Sequence, residues 1–426
     1  MKIITLILCF NFVVLAHAQP TWQAVPNITP NINNQRFDDV FFLNDNLGWA
    51  ANGYYAAVYK TTDGGLTWTK QLDEANITGD FYFRNITFLN ENIGFLGTLN
   101  STFFKTVNGG DTWETVNNIT PNPNGICGLD VVGTSTIYGC GAYFEPAHII
   151  KSTDSGATWS YTDMSAHANA LVEIKFLNET IGYAGGRNDN GAVVLKTTDG
   201  GNTWNEIYNS NTIGEYVWKL QILEANTDVI FGAVESNGTN PGKLIKTTNA
   251  GTSWTTLNAP DNKIQAVGFI NENTGWMGGH NTGFFETNDG GQTWNNINIG
   301  SNLNRIFIVN PSLAYASGTS IYKFTSETLH TTDLGNYINT NPLSIKFHNN
   351  PVANILKFTI TFDSSDNLLI RLYDIKGNFI KRMERDIVAK SSTKNYAYNV
   401  ANLASGTYII EFHNNLGRFS LQFIKE

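Results

Sequence analysis

The sequence predicts an all-β protein: a seven-bladed β-propeller closed by its N-terminal strand, then a small C-terminal β-sandwich. Three observations carry that prediction. A box of the form Thr/Ser-x-Asp/Asn-x-Gly-x-Thr/Ser-Trp recurs six times, ending at Trp68, Trp113, Trp159, Trp204, Trp254 and Trp294, in steps of 40 to 50 residues. A repeat of that length is one small sheet, and four short strands per repeat is the propeller pattern. The composition agrees. With 39 Gly, 12% aromatic and 15% charged side chains, the 426 residues suit short strands joined by turns and exclude coiled coil and wholesale disorder.

A second element precedes the boxes. Phe41-Phe42-Leu43-Asn44 leads to Gly48-Trp49, and Phe88-Leu89-Asn90 to Gly94-Phe95. Phe176-Leu177-Asn178 leads to Gly182-Tyr183, and Phe269-Ile270-Asn271 to Gly275-Trp276. Each reads as strand, Asn turn, then Gly–aromatic strand. Weaker versions run from Leu129 to Tyr138, Ile222 to Phe231 and Phe307 to Tyr315. The boxes sit between a third strand, such as Ala57 to Lys60, and a fourth that begins at the Trp. The last repeat, Asn304 to Thr325, lacks its Thr-Trp strand, whereas Thr21 to Val25 carries one with Trp22 46 residues before Trp68. Pairing that segment with the last repeat gives seven blades and leaves no open seam of unpaired backbone.

Asp63, Asn108, Asp154, Asp199, Asn249 and Asp289 stand where a side-chain oxygen accepts backbone N–H groups inside a tight turn. A carboxylate repeated blade after blade reads as structural, because one active site needs one set of acids. The box tryptophans are expected to pack between neighbouring sheets.

Met1-Lys2, the apolar run Ile3 to Leu15 and the Ala16-His17-Ala18 cleavage pattern mark residues 1–18 as a secretory signal peptide. Cys9 lies within the apolar run, and no later stretch is long enough to span a bilayer as a helix. Cys127 and Cys140 flank a predicted hairpin; a cross-strand disulfide and two buried thiols both remain open. Seven scattered His and these Cys show no ligand spacing, so no metal and no cofactor is expected. A net charge of -9 gives no electrostatic footprint for nucleic acid.

The boxes resemble the Asp-box, or BNR, repeats of sialidases, some glycoside hydrolases, sortilin-type receptors and the photosystem II stability/assembly factor family, over about residues 21–326. The paired pattern is most similar to the assembly factor type, which implies a non-enzymatic seven-bladed protein. The resemblance also implies that the boxes lie on the face away from active sites. The opposite face, where inner strands begin, then holds the candidate binding residues Arg36, Asp38, Tyr82, Arg84, Tyr216, Trp218, Lys219, Gln265 and Arg305. Trp218 stands out as a Trp outside the repeated positions. A sialidase-like site would need three arginines and a Tyr-Glu pair, and the propeller offers only Arg36, Arg84, Arg187 and Arg305. Glu173, Glu215 and Asp38 are the candidates for the paired acids of ordinary glycoside hydrolysis. Binding of a protein or glycan is the expected function, with a secreted glycoside hydrolase or sialidase-like enzyme as the alternative.

Residues 327–344 read as a polar linker and 345–426 as alternating short strands of a small sandwich. Asn350-Pro351-Val352, Tyr373-Asp374-Ile375-Lys376-Gly377 and Asn402 through Gly406 to Tyr408-Ile409 resemble, in order, the motifs of the type A C-terminal sorting domain of the type IX secretion system. The Lys425-Glu426 end departs from its more usual basic finish. The resemblance implies export from a Bacteroidota-type bacterium to the medium or outer surface. Its partners would be the secretion machinery and a sortase-like peptidase.

Overall fold

The computed structural model describes residues 19–327, 329 and 343–426, apart from 32–33, 74–75, 145, 239, 363–365, 376–378, 389–391 and 415–416. The leader read at 1–18, most of the linker read at 327–344, and Gly377 of the sorting motif lie outside the described residues. The chain forms two compact units, Met1–Thr328 and Leu329–Glu426, and the described residues contain strands but no helix.

The first unit is a seven-bladed propeller of seven four-stranded antiparallel sheets. The inner strands of blades 1 to 7 are Phe37–Phe42, Phe83–Phe88, Gly128–Val132, Ala170–Phe176, Tyr216–Ile222, Ile264–Phe269 and Arg305–Asn310. Each packs beside the next, and the last packs beside the first, so the ring is closed. Blade 7 obtains its outer strand from Thr21–Ala24, paired Trp22 to Phe324 and Gln23 to Lys323. Trp22 is buried there, stacked on Phe284 at 4.3 Å and edge-on to Trp276 at 5.5 Å.

The repeated motif is an inter-blade device. The Phe ending an inner strand lies flat on the second-strand aromatic of the preceding blade: Phe42 on Tyr315, Phe88 on Trp49, Phe176 on Tyr138 and Phe269 on Phe231, at 3.4 to 3.8 Å between centroids. Its ring fills the space over the glycine of its own blade. A Cβ on Gly48, Gly94, Gly182 or Gly275 would come within 2.3–2.6 Å of that ring. The box Trp closes the stack edge-on, as Trp68 does to Phe42 and Trp204 to Phe176. Apart from Trp204, the box tryptophans are half-buried, whereas Trp22 is fully enclosed.

Inside each box the acid or amide organises the turn. Asp63 Oδ1 accepts from Thr67 N at 2.9 Å and from Thr61 Oγ1 at 2.8 Å, while Oδ2 takes the Thr67 hydroxyl. Gly64 and Gly65, at φ +68° and +87°, occupy the left-handed region that lets the chain fold over this carboxylate. Asn108 reproduces the pattern by donating from its amide to Thr112. These bonds hold Asp199 and Asp289 at pKa values of about 2. The box turns also bond to the turn between strands one and two of their own blade, as in Gly64 N to Asn46 O. Both turns therefore share one face of the ring, here termed the turn face. The other is the entry face, where inner strands begin.

The second unit packs a three-stranded sheet (Leu343–Phe347, Ile355–Phe362, Ser392–Asn399) and a four-stranded sheet (Asp366–Asp374, Phe379–Val388, Gly406–Asn414, Gly417–Lys425) around Leu356, Phe358, Ile370, Leu372, Ile410 and Phe412. Asn350 ties the opening motif to the last strand by accepting from Ile424 N at 2.8 Å. Pro351 follows it and leads into Val352, which bridges to Lys425. Asp374 stands opposite Tyr408, whose hydroxyl donates to Ala404 O at 2.9 Å across the turn before Gly406.

Candidate functional site

Five inner strands carry a register break near their start, each skipping one residue: Asp38, Arg84, Val172, Trp218 and Gln265. A bulge of this kind re-aims the extra side chain relative to the sheet. Four of the five are polar or aromatic candidates read from the sequence, and they meet near the entry face.

There they form a plug. Arg84 Nη1 bonds Asp38 Oδ1 at 2.8 Å, and Arg36 Nε reaches the same oxygen at 3.2 Å. Arg36 also donates to Gln265 Oε1 (2.9 Å) and Asn302 Oδ1 (3.1 Å), and Gln265 passes the chain on to Glu235 at 2.8 Å. Arg305 clamps Asp39 at 2.7 Å through Nε and Glu173 at 2.8 Å through Nη1. Lys219 Nζ lies 3.3 Å from the other Glu173 oxygen. Arg84 sits 5.5 Å from the Trp218 ring, Trp218 stacks on Tyr216, and Arg187 covers Tyr216 at 4.7 Å. That ladder links blade 2 to blade 5 across the ring.

The charges are stable because they are paired. Burial alone would raise the Glu173 carboxyl, but Arg305, Lys219 and Lys175 outweigh it and hold it down at about 2. Burial pulls Lys219 down to about 7 against the pull of Glu173. Burial, with Asp38 beside it, raises the half-buried Tyr82 phenol to about 12.

The sequence-derived candidates are thus brought together, but not as an open mouth. Arg36, Asp38, Arg84, Lys219, Gln265 and Arg305 are buried within the plug; Tyr82, Tyr216 and Trp218 keep partial exposure. Asp39, Lys175, Glu235, His280 and Asn302 complete the network and were not legible as members of it. The proposed catalytic acids are all committed: Glu173 and Asp38 as above, and Glu215 to Lys243 at 2.6 Å. Cys127 and Cys140 are free and buried rather than bridged. Cys140 lies opposite Gly128, one residue past Cys127, so the two thiols join different packing clusters. Among the described residues no group of His, Cys, Asp and Glu is arranged to hold a metal.

Beyond the plug the channel widens into a cavity of about 680 Å³. Lys219 and Arg305 lie at its inner end, and residues that follow the inner strands, such as Glu224, Ile270 and Pro311, stand at its outer end. It therefore opens on the turn face, the side opposite to the one the sequence reading favoured.

This geometry defines a seven-bladed propeller with a capped channel, and two segments of the sequence match known family models. Residues 347–426 match the secretion system C-terminal sorting domain, so this segment is a sorting tail and implies export by the type IX route. Residues 15–159 match the photosynthesis system II assembly factor YCF48. No curated protein matches the chain. Among solved structures, YCF48 from Cyanidioschyzon merolae is 18% identical with a TM-score of 0.57, covering 72% of this chain and 99% of that one. A second YCF48 structure, bound to a D1 peptide, gives 18%, 0.55, 72% and 97%. PorZ of Porphyromonas gingivalis, an essential surface component of the type IX secretion system, is 15% identical with a TM-score of 0.53, covering 95% of this chain and 61% of that one. At these identities the likeness is one of fold.

Proposed function

We propose that this chain is exported by the type IX system, loses its sorting tail to a sortase-like peptidase, and works at the cell surface as a non-hydrolytic binding propeller. Its partner is a protein or glycan taken on the entry face around Tyr82, Tyr216 and Trp218. The observation that carries this reading is the commitment of every candidate acid, Asp38, Glu173 and Glu215, to an ion pair with a lysine or arginine, which leaves no carboxyl pair free for acid–base work. Exposed Tyr54, Tyr143 and Ile213 lie in loops of the same face and supply the apolar contact area of a docking rim. A YCF48 structure with a bound peptide supports a peptide-like partner for this fold.

The test is capture by the mature chain on a glycan array and in surface cross-linking. Tyr54→Ala with Tyr143→Ala should cut capture about ten-fold or more without shifting the unfolding midpoint. Glycan turnover that disappears in Glu173→Gln would overturn the binding reading. For the export half, deletion of 345–426 should strand the propeller in the periplasm, and normal surface delivery would refute it.

A further inference from the structure

Of the four arginines in the propeller, three are neutralised: Arg36 and Arg84 share Asp38, and Arg305 holds Asp39 and Glu173. Arg187 is the exception. It lies half-buried at the entry-face end of the strand Gly182–Asn188. Among the described residues it makes no ion pair and no side-chain hydrogen bond, and its Nε is enclosed without a partner. Asp189, two residues on, is taken up by the Asn169 amide at 2.6 Å.

The unspent guanidinium is also held still. It lies 4.7 Å from the centre of the Tyr216 ring, Tyr216 stacks on Trp218 at 5.1 Å, and the Tyr216 hydroxyl donates to the Tyr143 carbonyl. A cation braced in this way loses little side-chain freedom on taking a partner. Tyr143, at the same stack, is exposed. The neighbouring loops are tied together, Asn209 to Asn188 and Asn237 to Ile213 O, and they expose the amides of Asn190, Asn211 and Asn237.

A fixed guanidinium edge recognises a carboxylate or phosphate. A single cation matches the one charge of a carboxylate better than the nearly double charge of a phosphate monoester. An extended peptide gains most by adding a strand to a free sheet edge, but the strand of Arg187 is paired on both sides, to Ala170 and to Ala192. A sugar ring needs no such edge: its C–H face covers an aromatic ring and its hydroxyls pair with amides. We propose that Arg187 receives the carboxylate of a uronate-bearing glycan, with the sugar ring against Tyr143 and its hydroxyls on the loop amides. This rests on the entry-face reading above and narrows its partner. The net charge of -9 does not oppose it, because charges beyond about 8 Å are screened at physiological salt and the contact at Arg187 decides.

Calorimetry on the mature chain tests this with hexamers of galacturonate, mannuronate and glucuronate, the methyl ester of each, and hexaglutamate. At least one uronate should bind about ten-fold or more tighter than its ester and than hexaglutamate, and should weaken as salt rises. Arg187→Met should cost a similar factor with little change in the unfolding midpoint, since no ion pair is lost. Arg187→Lys, which keeps the charge without the fork, should fall between. No uronate binding, equal binding of an ester, tighter binding of hexaglutamate, or an unaffected Arg187→Met variant would each overturn the proposal. If that happens while Tyr54→Ala with Tyr143→Ala still removes surface capture, the entry face keeps its role and only the uronate falls; if capture also survives, both readings fall.

Discussion

Arg305 is the residue whose removal should be felt most sharply. Its side chain is 10% exposed and bonds two carboxylates, Asp39 at 2.7 Å and Glu173 at 2.8 Å, that are themselves 5% and 0% exposed. Arg305→Met keeps the aliphatic length but leaves these acids short of their strongest partner. Breaking a buried pair from one side costs about 3–5 kcal/mol. Glu173 retains Lys219 at 3.3 Å and Lys175 at 3.8 Å, and Asp39 retains the Ile86 N–H at 3.0 Å, so the low end, about 3 kcal/mol, is expected. Urea unfolding should show the midpoint falling at unchanged slope. Adding Glu173→Leu removes the stranded acid, so the double variant should be more stable than the sum of the singles by about 0.5–3 kcal/mol. A single-variant loss under about 1 kcal/mol, or strict additivity, would refute the plug as a coupled network.

Two further predictions concern the ring itself. Trp22→Ala, deep between Phe284, Trp276 and Phe324, should cost about 3–5 kcal/mol. Trp159→Ala, at a half-exposed box position, should cost about half as much or less, because less area leaves water; equal costs would argue against the special place of the first strand. On acidification, Asp199 and Asp289 are held at about 2 by box hydrogen bonds, and Glu173 at about 2 by its cations. All three are depressed below the ordinary values of 3.8 for Asp and 4.5 for Glu, so their stabilisation is present above about pH 4.5 and is lost as pH falls towards 2. Urea midpoints that stay flat between pH 5 and 2 would contradict this.

What could be read in advance follows from which interactions are local. The boxes, the Gly–aromatic pairs and the sorting motifs are short-range patterns whose spacing maps directly onto turns and strands, and Trp22 declared itself by its 46-residue offset. Even the exception is visible. Lys60, Lys151 and Lys196 in third strands donate to carbonyls of the next blade's box, but blade 6 carries Glu286 at this place, accepting from Trp276 Nε1 at 3.0 Å. Blade 7 has no box to receive a lysine, because its fourth strand comes from the N-terminus. The site was less legible. Whether Arg36, Asp38 or Arg84 points into an open mouth or a sealed plug depends on register breaks against neighbouring strands, and on partners such as Asn302, which Arg36 reaches from more than 200 residues away. Composition carries no trace of that.

Ring closure by the first strand fixes which face is sealed and which is open, and a cross-link examines it most directly. Gln23 and Lys323 are register partners in the closing sheet. In a Gln23→Cys, Lys323→Cys chain purified without reductant, mass spectrometry should find one peptide pair joined through positions 23 and 323, within a monomer. Recovery of both positions as free thiols, or joined only between molecules, would contradict the closure and the assignment of faces built on it.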